Sequence, residues 1–210
     1  MLHLDDSASA PKWSRLASRA SGDVCRSSGA LWDSARRVYI VDCLADQLEL
    51  DPEARTVAWS AGSVLRHDKP PKRDLALLVL EYLANAVDVP PSGRWVSPKE
   101  LPNGAFFFRG PHEVPAEMIA RRFGDSPSQF LEKSATLGGV SVPTGPDCPA
   151  DAASRFRVLP RIDVLILLWA ADDEFPARAS ILFDSTIADR LALDGVLLLA
   201  MVLVLELIRC

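Results

Sequence analysis

The chain is poor in the patterns from which most metal and redox sites are built. Its four cysteines, Cys25, Cys43, Cys148 and Cys210, are widely spaced and never form Cys-x-x-Cys. That argues against a zinc ribbon or a locally encoded iron–sulfur site. With no export signal in view, free thiols are the default reading, Cys210 being exposed at the end of the chain. Histidines number three: His3 near the start, His67 in a polar stretch and His112 beside Glu113. None stands in His-x-x-His or Glu-x-x-His spacing, which disfavours a zinc enzyme. A Gly-x-Ser-x-Gly nucleophile elbow is absent. So are Gly-x-Gly-x-x-Gly and Walker-type phosphate loops, which disfavours nucleotide enzymes.

Long apolar runs and basic patches are missing too. Val196 to Leu205 is unbroken apolar sequence but stops at Glu206, about half of the roughly twenty residues that a bilayer span needs. Ile162 to Ala171 is similar in length and carries Asp163. Both read as buried core, so no membrane association is expected. Met1 to Asp6 lacks the basic start and apolar stretch of a secretory signal, and the expected location is cytoplasmic. The formal charge is −5. The basic pairs Arg36-Arg37, Lys72-Arg73 and Arg121-Arg122 form no contiguous patch, so the charge pattern argues against nucleic acid.

What is present fits an ordinary folded domain. The 210 residues are 49% apolar and 24% charged, the composition of a chain that can bury a substantial core. Residues 1–11 are small and polar and read as a flexible tail ahead of a single domain over 12–210. Trp13 to Cys25 has the apolar face of a helix, and Gly29 can end it. Arg37–Val41, Gln47–Leu50 and Thr56–Trp59 read as strands of an antiparallel meander. Leu75, Leu78, Val79, Tyr82, Leu83 and Ala86 form one helical stripe between Pro71 and Val87. Ser97-Pro98-Lys99-Glu100 is a capping box, and Gly104 to Phe108 forms a short aromatic segment. Further helices are expected over Pro115–Phe123 and from Ser126 to about Leu137. Gly138 to Ala153, with Pro143, Pro146 and Pro149, reads as a long connector or lid. Phe156–Val158 and Ile162–Trp169 read as paired strands, the second covered on both faces. A last strand at Ser180–Phe183 precedes a turn capped by Asp184, Ser185 or Thr186. Asp194-Gly195 then opens a helix that is apolar almost all round, implying a buried or partner-covered position. The expectation is α+β: a mainly antiparallel sheet with a central buried strand near 162–169, packed by about five helices.

The densest chemistry lies in Asp172-Asp173-Glu174, between an apolar strand and Phe175-Pro176. Carboxylates from this elbow and from Asp184 could ligate a hard cation or polar ligand. The plainer reading is a turn whose carboxylates accept nearby backbone N–H groups. Successive side chains also point in different directions, which weakens a shared metal site. Arg94 and Trp95, with Arg161, are candidates for a pocket wall, since aromatics beside arginine can line an anion site. Phe106-Phe107-Phe108 with Arg109 extends that aromatic-basic belt, for which core packing is the simpler account.

Several segments resemble one family. Val79-Leu80-Glu81-Tyr82-Leu83-Ala84, Pro91 to Ser97 and Glu100-Leu101-Pro102 carry the first part of the likeness. Leu159-Pro160-Arg161, Trp169 to Pro176 and Leu182-Phe183-Asp184-Ser185 carry the rest. Together, from about residue 13 to 209, they resemble domain of unknown function 3786, an uncharacterised prokaryotic family. The resemblance implies no established activity or catalytic residue. Members are often joined to a four-cysteine iron–sulfur domain of the kind found in corrinoid iron–sulfur proteins, which implies a redox- or corrinoid-associated setting. No such module precedes residue 13, so iron–sulfur binding is not carried over, and cofactor and metal stay unassigned.

The functional expectation is a non-catalytic domain that binds a small ligand, cofactor or protein partner. Two alternatives stand beside it. One is a metal-assisted or acid–base enzyme using the carboxylates at 172–174 and 184. The other is a structural subunit that buries its C-terminal helix against a partner.

Overall fold

Aspartates set the wide turns of the first sheet. The computed structural model describes residues 1–61, 69–146 and 148–209; His67 and Cys210 lie outside them. Strands β1 (Leu2–His3), β2 (Leu31–Asp33), β3 (Val38–Cys43), β4 (Asp46–Asp51) and β5 (Thr56–Trp59) form an antiparallel sheet in the order β1-β5-β4-β3-β2. At the β2–β3 turn, Asp33 Oδ1 accepts the Ala35 and Arg36 N–H groups, both at 3.0 Å. At the β4–β5 turn, Asp51 Oδ1 accepts those of Glu53 and Ala54 at 2.9 and 2.8 Å. Each of these loops ends on an arginine in the left-handed region, Arg37 and Arg55. The β3–β4 turn is tighter: only Leu44 and Ala45 connect the strands, with Leu44 at φ 55.

The expected frayed tail is instead packed. β1 pairs with β5, Leu4 is buried, and Trp13 Nε1 donates to Leu4 O at 2.8 Å. Asp6 accepts from Ala8 and Ser9 N–H and from the Arg73 guanidinium, and that guanidinium, first among these, holds its carboxyl down at about 2. The physical reason is the pair Leu2 and Leu4, which give the segment an anchor in the core. The single helix expected over 13–25 is two, α1 (Ala10–Ala17) and α2 (Ser21–Ser28), because Ala20 is extended between them. Gly29, at φ 78, ends α2 as read.

The second sheet comprises β6 (Trp95–Val96), β7 (Val140–Ser141), β8 (Ala152–Leu159), β9 (Ile162–Trp169) and β10 (Arg178–Asp184). Its order is β6-β10-β9-β8-β7, all antiparallel, so β9 is the middle strand. Ile162, Val164, Ile166 and Leu168 join the core from one face. The other face is covered as well, as read, with Asp163 and Leu165 both buried. There Asp163 accepts Arg155 Nη2 at 2.6 Å and Arg157 Nε at 3.2 Å, and Arg155 lies opposite Leu165. Arginine stems stand in for a second layer.

Among the described residues the remaining helices are α3 (Arg73–Ala84), α4 (Gly104–Phe107), α5 (Ala116–Phe123), α6 (Pro127–Thr136) and α7 (Leu193–Ile208). The capping box forms as read, with Ser97 and Glu100 bonding reciprocally. α5 and α6 lie on the second sheet, while α3 contacts α1, α2 and α7. The fold is α+β with two antiparallel sheets rather than one. The connector after Gly138 is shorter than read, since β7 and the start of β8 take its ends. Its remainder is tied to β9: Asp151 N donates to Leu168 O at 2.9 Å, and Trp169 Nε1 donates to Pro149 O.

Candidate functional site

The acidic elbow is a self-contained turn. Asp172 Oδ1 accepts the N–H of Glu174 at 2.9 Å and of Phe175 at 2.7 Å, and Asp172 N donates to Phe175 O at 3.0 Å. Asp173 and Glu174 are exposed. The elbow sits on the end of α5, where a side chain at Gly124 would stand 2.2 Å from Ala177 Cβ. Asp184 lies at the far end of β10, about 20 Å away by strand rise. It cannot complete a cation site with the elbow. Among the described residues no group of three or more His, Cys, Asp or Glu could hold a metal ion.

Asp184 has a full set of partners. It is buried and accepts Ser92 N and Oγ, Gly93 N, and Thr186 N and Oγ1, at 2.6–3.2 Å. Burial alone pushes its carboxyl up, but the Thr186, Ser92 and Gly93 donors outweigh that and hold it below the ordinary 3.8. Arg94 contributes backbone here, its carbonyl accepting Ser185 N at 2.9 Å; its side chain is exposed. Trp95 is half-buried in β6. Arg161 lies elsewhere, bonding Asp88 at 3.2 Å and Arg26 O at 2.6 Å, with its N–H on the Tyr82 hydroxyl at 3.2 Å. Tyr82 in turn donates to Ser28 O.

A further cation was not singled out from sequence. Arg190 is almost fully buried and donates to the carbonyls of Val87, at 3.0 Å, and Val89, with Nε unpaired. Asp184 and Arg190 thus fasten residues 87–93, the strap between α3 and β6, from two sides. Of the candidates, Asp184, Arg94 and Trp95 come together; Arg161 and the elbow each stand apart.

The open volume lies elsewhere. A cavity of about 600 Å³ is bounded by α7, the β3–β4 turn, Trp59 and the start of α3. Leu75, Leu137, Leu198, Met201, Val202 and Leu205 supply its apolar wall. α7 explains this wall. Val196, Leu199, Leu203 and Leu207 are buried on one side, while Leu198, Met201, Val202 and Leu205 remain half-exposed on the other. Leu44 reaches the cavity from a left-handed backbone position, and Leu44 N donates to Val158 O at 3.1 Å, pinning the turn to the second sheet. Cys43 lies in the wall as an unreactive thiol, pushed up to about 12 by burial and by the carboxylates of Asp46, Glu206 and Asp42. The all-round apolarity of α7 was the available signal for this site; the rest of its lining is scattered through the sequence.

Residues 21–206 match the family described as Domain of unknown function (DUF3786). The chain belongs to that family. The DUF3786 span takes in both sheets apart from β1, the strap with Asp184 and Arg190, and every lining residue of the cavity named so far. No curated protein and no solved structure matches the chain.

Proposed function

We propose that this DUF3786 chain is a non-catalytic binding domain that takes a small, largely apolar ligand between α7 and the β3–β4 turn. The observation that carries the reading is the cavity itself, about 600 Å³ with an aliphatic wall. That volume is in the range of small-molecule sites, about 300–1,000 Å³. A binding role fits its chemistry, because the thiol in its wall is held protonated and Leu75, Leu137, Leu198, Met201, Val202 and Leu205 supply an apolar surface. The carboxylates of 172–174 and 184 have no cavity in common, so an acid–base reading lacks a shared site. The redox or corrinoid setting rests on the family resemblance alone and is a separate proposal.

The test is thermal shift of the intact chain with 1-decanol and, in a parallel arm, cobalamin. A ligand at a hundred times its Kd adds about 2.7 kcal/mol of stability. Met201→Arg, which fills the cavity from the half-exposed face of α7, should abolish the decanol shift while the variant still unfolds cooperatively. No shift in the native chain, or an equal shift in the folded variant, would overturn the reading. A shift with cobalamin that survives Met201→Arg would place corrinoid binding at another site.

A further inference from the structure

We infer that the outer face of the second sheet is a dimer interface, occupied by the same face of a second copy of this chain. Strand register assigns the residues of that face. Arg157 lies opposite Asp163, Arg155 opposite Leu165, and Leu165 opposite Leu182. Ala153 lies opposite Leu167, and Trp169 opposite Arg178. Residues directly paired across antiparallel strands share a face. On the other side of the sheet, Ile162, Val164, Ile166 and Leu168 join one core with Ile119, Phe123 and Phe130 of α5 and α6. Leu167, Trp169 and Leu182 are half-exposed and lie outside that core. An antiparallel sheet with one solvated face ordinarily turns polar residues outward. Beyond Asp163, β9 instead turns out Leu165, Leu167 and Trp169.

Charge along β9 selects the occupant. At the start of the strand Arg155 and Arg157 are exposed and share the buried Asp163, which leaves one positive charge over. About 20 Å along the strand, the other end carries four exposed carboxylates, Asp151, Asp172, Asp173 and Glu174. Asp151 is fixed there, since its Oδ2 accepts Ala170 N at 2.7 Å. Against them stands Arg178, whose guanidinium lies 4.2 Å from the Trp169 ring centre. The two ends therefore have opposite sign, with leucine between them. A two-fold axis across the strands stacks two such faces with their strands antiparallel. It sets the acidic end of each copy beside the arginines of the other, and leucine on leucine. One operation satisfies both ends and closes the assembly at two copies. A partner of a single sign, such as a nucleic acid, would meet like charge at one end.

Sedimentation velocity of the intact chain from about 1 to 100 μM, in about 0.05 M salt where screening is weak, tests this. The chain should form a dimer that weakens as salt rises. Leu167→Glu, in the middle of the face, should weaken the dimer at least about tenfold. The double variant Asp173→Lys/Glu174→Lys, at two exposed positions, should do the same by setting like charges against the arginines. Arg157→Glu should also dimerise poorly alone. Mixed in equal amounts with the double variant it should recover the dimer, because each end then meets its opposite. Cooperative thermal unfolding checks that each variant is folded, and the first two decide the matter if Arg157→Glu is not. A chain that stays monomeric to about 100 μM, or a dimer that either of the first two variants leaves intact, would overturn the inference. So would a mixture of folded variants that fails to recover the dimer.

Discussion

Five hydrogen-bond donors surround the Asp184 carboxylate, which is 3% exposed. Asp184→Asn replaces one acceptor oxygen with a donor facing other donors, and the expected loss is about 2–3 kcal/mol in chemical denaturation. The pH dependence has a definite sign. The folded-state pKa lies below 3.8, so the stabilisation is complete above that value and disappears as pH falls through the folded value. The gap between native chain and variant should hold at neutral pH and narrow below about pH 4. A gap unchanged from pH 7 to pH 2 would contradict the role given to this carboxylate. In the sequence, Asp184 was legible as a cap, and Thr186 N does donate to it at 3.0 Å. Its grip on the strap was not, because Ser92 lies 92 residues away. Arg190 was invisible for the same reason: a buried guanidinium that satisfies carbonyls leaves no local pattern.

Elements followed the sequence where one residue governs one decision. Gly29 stops a helix, and Ser97 with Glu100 caps one. They departed from it where the backbone adopts a conformation against residue preference. Arg37, Leu44 and Arg55 take positive φ, where glycine is expected. At Leu44 the cost of that conformation, about 1–2 kcal/mol, is balanced by an apolar side chain packed against the core. Leu44→Gly relieves the backbone and removes the side chain, so it should change stability by less than about 1 kcal/mol. Decanol should bind the variant more weakly. A destabilisation of several kcal/mol would show that Leu44 is not strained. α7 was read as buried or partner-covered. Half of that holds, since one face is core and the other lines the cavity.

At the scale of the molecule, α+β was legible because strand-like segments clustered in the first third and again near residue 160, with helices between. The division into two sheets was not. It rests on which strands pair, since β2–β5 and β7–β10 each pair among themselves, and that shows only in three dimensions. The N-terminal segment escaped for a related reason, since its docking rests on contacts distant in sequence, the β1–β5 pairing and Asp6 with Arg73.

Each sheet is a meander of consecutive strands joined by one distant edge strand, β1 on β5 in the first and β6 on β10 in the second. From β2 to β5 every pairing joins consecutive strands, so that meander closes through short loops. The β6–β10 pairing must gather most of the intervening sequence first, and loop entropy delays such contacts. Folding should therefore begin in meanders such as β2–β5 and finish when the strap reaches β10. Val41→Ala and Val96→Ala remove comparable buried area, about 2 kcal/mol each. In stopped-flow measurements the first should slow refolding, whereas the second should chiefly speed unfolding. If Val96→Ala slowed refolding as much as Val41→Ala, that order of events would be wrong. The strap that Asp184 and Arg190 fasten is then the last part of the molecule to close and the first to open.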